Sequence, residues 1–342
     1  MSFPTLNRRS FVASGLALAA CASDVFGAAA GNPPRLARVI LDNDFAGDPD
    51  GLFQLAHHVL CRSISIPLVI GSHLPGAFSS GHDAADSAAR ARQLLELMGL
   101  DGQHRVLSGN ESPIASRSQW MPSAASAAIV AEALREDTAA PLVYAAGAGL
   151  TDLALAWLSE PRIGRRVKLV WIGGNPHAGF GNAGDRFTEP EFNFSIDPLA
   201  AQILFNESDI EIWQVPCDAY RQMLFGTGEL EALGASGPLC AWLKARVDAV
   251  PAMLASIPGV PPQAITDAYV LGDSPLVTLT ALVPPYLPDA TSCRYRLMPT
   301  PRLLDDGRYL PRPKARPMRV YTAIDASLTF RDMLARFSLL GK

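Results

Sequence analysis

The chain has 342 residues, of which 49% are hydrophobic and 18% charged, and its 29 Lys and Arg against 33 Asp and Glu give a net charge of −4. This composition excludes an intrinsically disordered chain, and the lack of a Lys/Arg block argues against nucleic acid as the main partner. No apolar run reaches about 20 residues, so no membrane-spanning helix is predicted in the mature chain. The length and the even composition favour one domain.

The first thirty residues carry the features of an export signal. Arg8 and Arg9 stand ahead of an apolar stretch, Phe11 to Ala22, which is too short to span a bilayer stably and is followed by small residues. The pattern resembles a bacterial twin-arginine signal. We therefore expect residues 1–30 to be a signal peptide, residues 31–342 to form the functional domain, and the protein to be exported to the periplasm.

The cysteines give two further expectations. Leu18-Ala19-Ala20-Cys21 resembles a lipobox, in which Cys21 would become a lipid anchor, although a chance Cys in an Ala-rich run fits equally well. The remaining four cysteines show no C-x-x-C spacing, which argues against a zinc or thioredoxin-like site. We expect them to be buried thiols rather than disulfides.

Strand and helix patterns alternate along the mature chain after a linker at Asn32–Pro34. The predicted strands are 37–41, 64–71, 106–107, 141–146, 167–172 and 210–215. The predicted helices are about 51–60, 83–98, 124–135, 151–158 and 198–204. This alternation predicts an α/β fold with a largely parallel central sheet flanked by helices. The C-terminal part is predicted to contain helices near 229–249 and 275–282, then a Pro-rich, antiparallel section at 295–320.

The loop after the first predicted strand is the most informative segment, because ligands bind beyond the carboxyl ends of strands in open α/β sheets. It holds four carboxylates within nine residues, Asp42, Asp44, Asp48 and Asp50, and no Lys or Arg occurs from residue 39 to residue 61. Like charges this close must protonate or recruit a cation, and carboxylate oxygens favour Ca²⁺ or Mg²⁺. The alternative is turn chemistry, in which Asp48 caps the next helix.

A strand followed by Asp-x-Asp also resembles the nucleophile loop of haloacid-dehalogenase-type phosphatases. In that case Asp42 would attack phosphorus and Gly272-Asp273 would belong to the metal-binding loop. That family has Thr or Val where Ala46 stands, and an acidic residue where Val277 stands. The hypothesis predicts Mg²⁺-dependent release of phosphate.

The acidic loop is also similar to the N-terminal signature of nucleoside hydrolases of the inosine–uridine-preferring type, a strand followed by Asp-x-Asp-Pro-Gly-x-Asp-Asp. Here the signature is longer, Asp-x-Asp-Phe-Ala-Gly-Asp-Pro-Asp over 42–50. Three further matches follow in the family's order. They are Ala148–Asp152, similar to a Gly-Pro-Leu-Thr-Asn loop; the run from Gly173 to Pro198 with Gly181-Asn182 and Glu191-Phe192-Asn193; and Gly272–Leu276, similar to a late His-Asp loop.

This resemblance implies a Rossmann-like nucleoside hydrolase fold and cleavage of the N-glycosidic bond of ribonucleosides or a related N-ribosyl compound. It implies a Ca²⁺ ion held by Asp44, by Asp48 or Asp50, by Asp273 and by the main-chain carbonyl of Thr151. Asp48 or Asp50 would act as the general base toward water. The implied partner is the small-molecule substrate, and self-association is expected because many relatives form oligomers.

The resemblance also assigns the ribose contacts, and it leaves the leaving-group acid open. Asn182, Glu191 and Asn193 would hold the sugar hydroxyls. The family often has His, as an acid, where this chain has Gly272. His73, after the second strand, is expected near the ligand edge of the sheet, and the histidines considered as replacement acids are His73, His82 and His177.

The missing His keeps a second function class open. A non-catalytic periplasmic protein with the same fold would capture ribose or nucleosides without cleaving them. Turnover of a nucleoside panel separates this class from a hydrolase.

Overall fold

An eight-stranded sheet forms the centre of the protein, and a computed structural model describes residues 35–180, 189–261, 263–284 and 292–340. The predicted export signal, Cys21 and Asn182 lie outside these residues. Arg35–Lys342 forms one compact unit, as expected for one domain.

The described strands are numbered in chain order. They are β1 (Ala37–Asn43), β2 (Ile64–Gly71), β3 (Val106–Ser108), β4 (Leu142–Ala146), β5 (Val167–Ile172), β6 (Glu211–Val215), β7 (Leu224–Gly226), β8 (Ala268–Val270), β9 (Arg294–Pro299), β10 (Arg302–Leu303), β11 (Tyr309–Leu310) and β12 (Pro317–Ala323). The central sheet has the order β3-β2-β1-β4-β5-β6-β12-β9, and β7 with β8 and β10 with β11 form two small ribbons. Every neighbouring pair in the central sheet is parallel except β12 with β9.

The described α-helices pack on both faces of this sheet or cover its carboxyl edge. They are α1 (Asp50–Val59), α2 (Asp83–Leu97), α3 (Ala124–Ala133), α4 (Thr151–Ser159), α5 (Phe192–Ile196), α6 (Pro198–Asn206), α7 (Cys217–Tyr220), α8 (Thr227–Gly234), α9 (Pro238–Asp248), α10 (Val250–Ala255), α11 (Pro275–Thr280) and α12 (Ala326–Leu340). Single 3₁₀ turns occupy Gly76–Phe78 and Pro161–Arg165. None of the described helices is both long and apolar enough to cross a membrane.

Strand β1 explains why the sheet divides the core in two. Alternate side chains of a strand point to opposite faces. Val39 and Leu41 therefore join one buried cluster, with Phe53 of α1, and Ile40 joins the other, with Tyr144 and Trp171. All seven residues of β1 are buried, as expected for a central parallel strand covered on both faces.

The predicted α/β fold with a largely parallel sheet is confirmed, and the differences lie in the C-terminal third. The predicted helix at 229–249 is two helices, because Gly237-Pro238 interrupts it and Pro begins a helix more readily than it continues one. The predicted antiparallel section extends the central sheet: β9 is antiparallel, but β12 pairs in parallel with β6. Helix α12 was not predicted from the sequence. The four described cysteines are buried free thiols.

Candidate active site

A cleft of about 700 Å³ opens at the carboxyl edge of the central sheet. One end is lined by acidic residues from the β1 loop and from the loop before α11. The rest of the lining combines apolar side chains, namely Leu74, Phe78, Met253, Leu254 and Ile257, with the carboxylates of Asp83 and Asp86. Polar residues from the segments after β4 and β5 form the floor of the cleft.

The acidic end is built around Asn43, the last residue of β1. Its side-chain oxygen accepts from the backbone N–H of Asp44 (2.9 Å), and its amide donates to Asp273 Oδ2 (2.8 Å). Gly51 permits this arrangement, because a Cβ at that position would lie 2.7 Å from the Asn43 amide nitrogen. One buried amide thus joins two acidic loops that are 230 residues apart in the sequence.

Asp50 makes the second link between these loops. It is the first residue of α1, and its Oδ2 accepts from the backbone N–H of Asp273 at 3.1 Å. Asp48, in the same loop, is exposed to solvent, and its Oδ1 accepts a hydrogen bond from the Tyr269 hydroxyl at 2.6 Å. Asp44, Asp48, Asp50 and Asp273 therefore line one end of the same cleft.

Burial and mutual repulsion make this cluster unfavourable as free anions. The pKa values of Asp44 and Asp50 lie well above their ordinary value, because burial disfavours the charged form and Asp273 repels both. Burial, with Asp48 nearby, raises the pKa of Asp273 to about 7. Arg221 is the only basic residue lining the described part of the cleft. An all-oxygen set with excess negative charge suits a hard divalent cation.

A third side of the acidic end comes from the segment after β5. Glu191 Oε2 accepts from the backbone N–H groups of Gly174 (2.7 Å) and Phe194 (3.0 Å), and Oε1 accepts from the Tyr220 hydroxyl (2.8 Å). Asn193 donates from its amide to the Gly147 carbonyl at 2.9 Å. These contacts fix the two side chains at the floor of the cleft.

Gly147 is a site residue that the motif comparison missed. It follows β4, lines the cleft, and leaves no room for a side chain, since a Cβ there would lie 2.4 Å from the Asn43 amide nitrogen and 2.8 Å from Asp273 Cγ. Glycine at this strand end allows the backbone to approach the side chains of Asn43 and Asp273 closely. Only the fold reveals which of the many glycines has this role.

Asp42 belongs to a separate, buried network behind the cleft. The Ser72 and Tyr144 hydroxyls donate to its two oxygens, and the side chain is 1% exposed. Burial and the nearby Asp152 raise the pKa of Asp42 to about 7. A carboxylate held in this way is not positioned to attack a phosphorus atom, which argues against the phosphatase hypothesis.

The structure does not bring Thr151 or His73 into the cleft lining. Thr151 begins α4, where its carbonyl points along the helix, and its hydroxyl donates to Asp197 Oδ2 at 2.8 Å. His73 is 2% exposed, and its Nδ1–H donates to the Asn110 carbonyl at 2.9 Å. Both side chains are therefore part of the buried polar layer beneath the site.

The family model described as inosine-uridine preferring nucleoside hydrolase matches residues 39–299. The chain belongs to this family. Enzymes of the family are N-glycosyl hydrolases, and the family is known for a metal ion. The acidic end of the cleft is the part of this chain whose donor set fits such an ion.

Two relatives, each named inosine-uridine preferring nucleoside hydrolase, match short segments. The protein from Crithidia fasciculata is 48% identical over 68 residues, and that from Leishmania major is 52% identical over 61 residues. The segments cover 20% and 18% of this chain and 19% and 18% of those relatives. The matched part is thus less than one fifth of either relative.

Solved structures in the nucleoside hydrolase family share the fold over nearly their whole length. A purine-preferring ribonucleoside hydrolase from Gardnerella vaginalis superposes with a TM-score of 0.68 at 18% identity, covering 89% of this chain and 99% of that one. A plant nucleoside hydrolase superposes with a TM-score of 0.65 at 17% identity, covering 90% and 99%. At these identities the likeness establishes the fold.

Proposed function

We propose that this nucleoside hydrolase family member cleaves the N-glycosidic bond of ribonucleosides or a related N-ribosyl compound with the help of Ca²⁺. The observation that carries the proposal is the convergence of Asp44, Asp50 and Asp273 at one end of a cleft large enough for a nucleoside. The matched family model supplies the reaction class.

The residues that would hold the ion are Asp44, Asp50, Asp273 and the carbonyl of Gly147. Gly147 replaces Thr151 in this proposal, because Gly147 lines the cleft and Thr151 does not. When bound, a divalent cation lowers the pKa of a coordinated water and binds sugar hydroxyls. Asp48 and Asp50 are the proposed proton acceptors, since both line the acidic end of the cleft.

The sugar would be held by directed hydrogen bonds from the chain. Glu191 and Asn193 are fixed by their backbone contacts, so they can orient hydroxyl groups without first losing side-chain freedom. Asn182, in the segment between β5 and α5, is proposed as the third contact from its place in the family motif. The apolar side chains of the cleft lining would contact the base.

A panel of ribonucleosides, assayed for released free base and ribose, tests the proposal. Asp44→Ala should abolish both tightly bound calcium and turnover, because it removes a central oxygen ligand. Asp101→Asn, an exposed carboxyl outside the cleft lining, is the matched control and should keep both. Full turnover in Asp44→Ala would refute the assignment, and nucleoside binding without release of base would favour the periplasmic binding protein.

We propose that the protein is exported through the twin-arginine pathway to the periplasm. Arg8-Arg9 ahead of an apolar stretch supports the proposal. Replacing both arginines by lysine should leave the full-length precursor in the cytoplasm.

A lipid anchor at Cys21 and self-association are two further proposals. Incorporation of radiolabelled lipid, compared between the natural protein and a Cys21→Ser variant, tests the anchor, and light scattering tests self-association.

A further inference from the structure

Position 272 has no side chain to protonate a leaving base, and Tyr220 fills the adjoining space. A Cβ at Gly272 would lie 3.1 Å from the Tyr220 ring and 3.3 Å from Asp50 Oδ2. The Tyr220 hydroxyl already donates to Glu191. Burial and Glu191 both raise the pKa of Tyr220, so this phenol is a poor proton donor.

No histidine replaces the missing acid. The chain has six histidines, all within the part of the chain that the structure describes, and none of them lines the cleft. His177, for example, bonds to Gln214 and stacks on Tyr309 at 4.0 Å. The cleft therefore lacks the residue type most often used to protonate a leaving group.

Outside the four aspartates of the acidic end, the cleft lining is both aromatic and anionic. Phe78 and Phe192 line it edge to face, with ring centroids 5.1 Å apart. Asp83 lies beside them, and its carboxylate accepts from the backbone N–H and the hydroxyl of Ser80, both at 2.8 Å. Burial acts to raise the pKa of Asp83, but the hydrogen bonds outweigh it and hold the pKa below its ordinary value.

Asp86, one turn further along α2, adds a second carboxylate at the rim. Seven carboxylates line the described cleft in total, Asp44, Asp48, Asp50, Asp83, Asp86, Glu191 and Asp273, against the single Arg221. Asp83 and Asp86 lie outside the proposed ion ligands, so a bound ion would not neutralise them, and Arg90 is the basic residue that interacts with Asp86. Aromatic faces next to fixed anions favour a flat cation.

We propose that the cleft selects N-ribosyl compounds whose heteroaromatic base carries a positive charge, such as a pyridinium or an N7-alkylated purine; this rests on the hydrolase function proposed above. When the bond from C1′ to the ring nitrogen breaks, its electron pair stays on the nitrogen and cancels the charge of the ring. Water forms the new C1′–O bond and releases one proton to a carboxylate and then to solvent. The products are ribose, a neutral base and one proton, so no acid is needed.

The first test compares 7-methylinosine with inosine, which differ in the charge of the base. A general acid contributes about 10²- to 10⁴-fold to a rate, so kcat/KM should be at least about 100-fold higher for the cationic substrate. The double variant Gly272→His with Tyr220→Ala places a histidine in the space that Tyr220 now fills. Because this histidine can protonate the base of inosine, the ratio of kcat/KM for 7-methylinosine to that for inosine should fall about tenfold. If that variant does not fold, the ratio of the natural protein decides.

The second test keeps a pyridinium leaving group and changes the charge of its substituent. Nicotinamide riboside and nicotinic acid riboside are both pyridinium compounds, but the second carries a carboxylate. Because the amide and the carboxylate also change the basicity of the ring nitrogen, the deciding measurement is the effect of Asp86→Asn on the ratio of the two rates. We expect a preference of about tenfold for the amide, reduced about threefold by Asp86→Asn and not by Asp101→Asn. Inosine turnover as efficient as that of 7-methylinosine, or a ratio for the two pyridinium ribosides that Asp86→Asn leaves unchanged, would overturn the inference alone. Turnover of none of these ribosides would overturn the proposed function as well.

Discussion

Asp42 and Asp44 are two residues apart, yet they occupy opposite surroundings. Asp42 lies within β1, where hydroxyl donors hold both of its oxygens in the core. Asp44 is the first residue beyond the strand and faces the carboxylates of Asp48, Asp50 and Asp273 across an open cleft. The comparison shows that a carboxylate surrounded by hydrogen-bond donors stabilises the fold, whereas a carboxylate surrounded by other carboxylates is suited to bind a cation. Five predictions test this contrast, in order of expected effect.

Removing a carboxylate from the open cluster should affect function far more than folding. Asp273→Asn keeps the shape of the side chain but removes one charge, and we expect kcat/KM to fall about 10³-fold through loss of several kcal/mol of ion-dependent stabilisation. Calcium affinity, measured by calorimetry, should fall with it. A variant that retains calcium and turnover would remove Asp273 from the site.

Removing the buried carboxylate should do the reverse. Asp42→Ala leaves the Ser72 and Tyr144 hydroxyls without an acceptor, so the free energy of unfolding in urea should drop by about 2–4 kcal/mol. Asp42→Asn, which keeps one acceptor oxygen, should lose less. Calcium affinity of the folded variant should change less than tenfold, and a larger change would show that the two regions are one site.

The effect of calcium on stability should depend on pH. The pKa of Asp273 rises from 3.8 to about 7 on folding. Its contribution to the free energy of unfolding is therefore fully present below pH 3.8 and is lost as the pH rises through about 7. Calcium at 100 times its Kd adds about 2.7 kcal/mol, and we expect this full gain at pH 8 but little at pH 5, where protons compete for the cluster. Burial lowers the pKa values of His58 and His177, so their contribution to the free energy of unfolding increases with pH, opposite to that of Asp273. This contribution is the same with and without calcium. Thermal unfolding at both pH values measures the difference.

Gly147→Ala should weaken the ion site without adding or removing a charge. Its Cβ would collide with Asn43 and Asp273, which must shift. Disturbed supporting contacts typically lower metal affinity about 10- to 100-fold, and calcium titration measures this. Gly228→Ala is the control, because a Cβ at that glycine would meet no atom within 4 Å. Unchanged affinity in Gly147→Ala would exclude its carbonyl as a ligand.

The smallest effect is expected at the exposed edge of the cluster. Tyr269→Phe removes the hydrogen bond to Asp48 at 2.6 Å. Because Asp48 can bond to water instead, the free energy of unfolding should change by less than about 1 kcal/mol. A larger loss, seen by urea unfolding, would mean that Asp48 behaves like Asp42.

The sequence predicted most of the fold because its elements repeat one local pattern. Apolar runs such as 37–41 and 167–172 are long enough to be central strands, and the helical segments between them give parallel pairing. The C-terminal strands were harder to assign. Strand β12 pairs with β9, which is close in the sequence, and also with β6, which is about 100 residues away, and a local pattern does not specify the second pairing.

The acidic loop was identifiable from sequence because four neighbouring carboxylates without a nearby base must either take up protons or bind a cation. The sequence by itself therefore determined the fold class and the presence of a cation-seeking loop, since both follow from local composition. Only the tertiary structure decided that Asp42 is buried, that Gly147 rather than Thr151 reaches the cleft, and that Tyr220 occupies the space beside Gly272. Those outcomes depend on which side chains, distant in the sequence, come into contact at a strand end, and the local sequence does not specify such contacts.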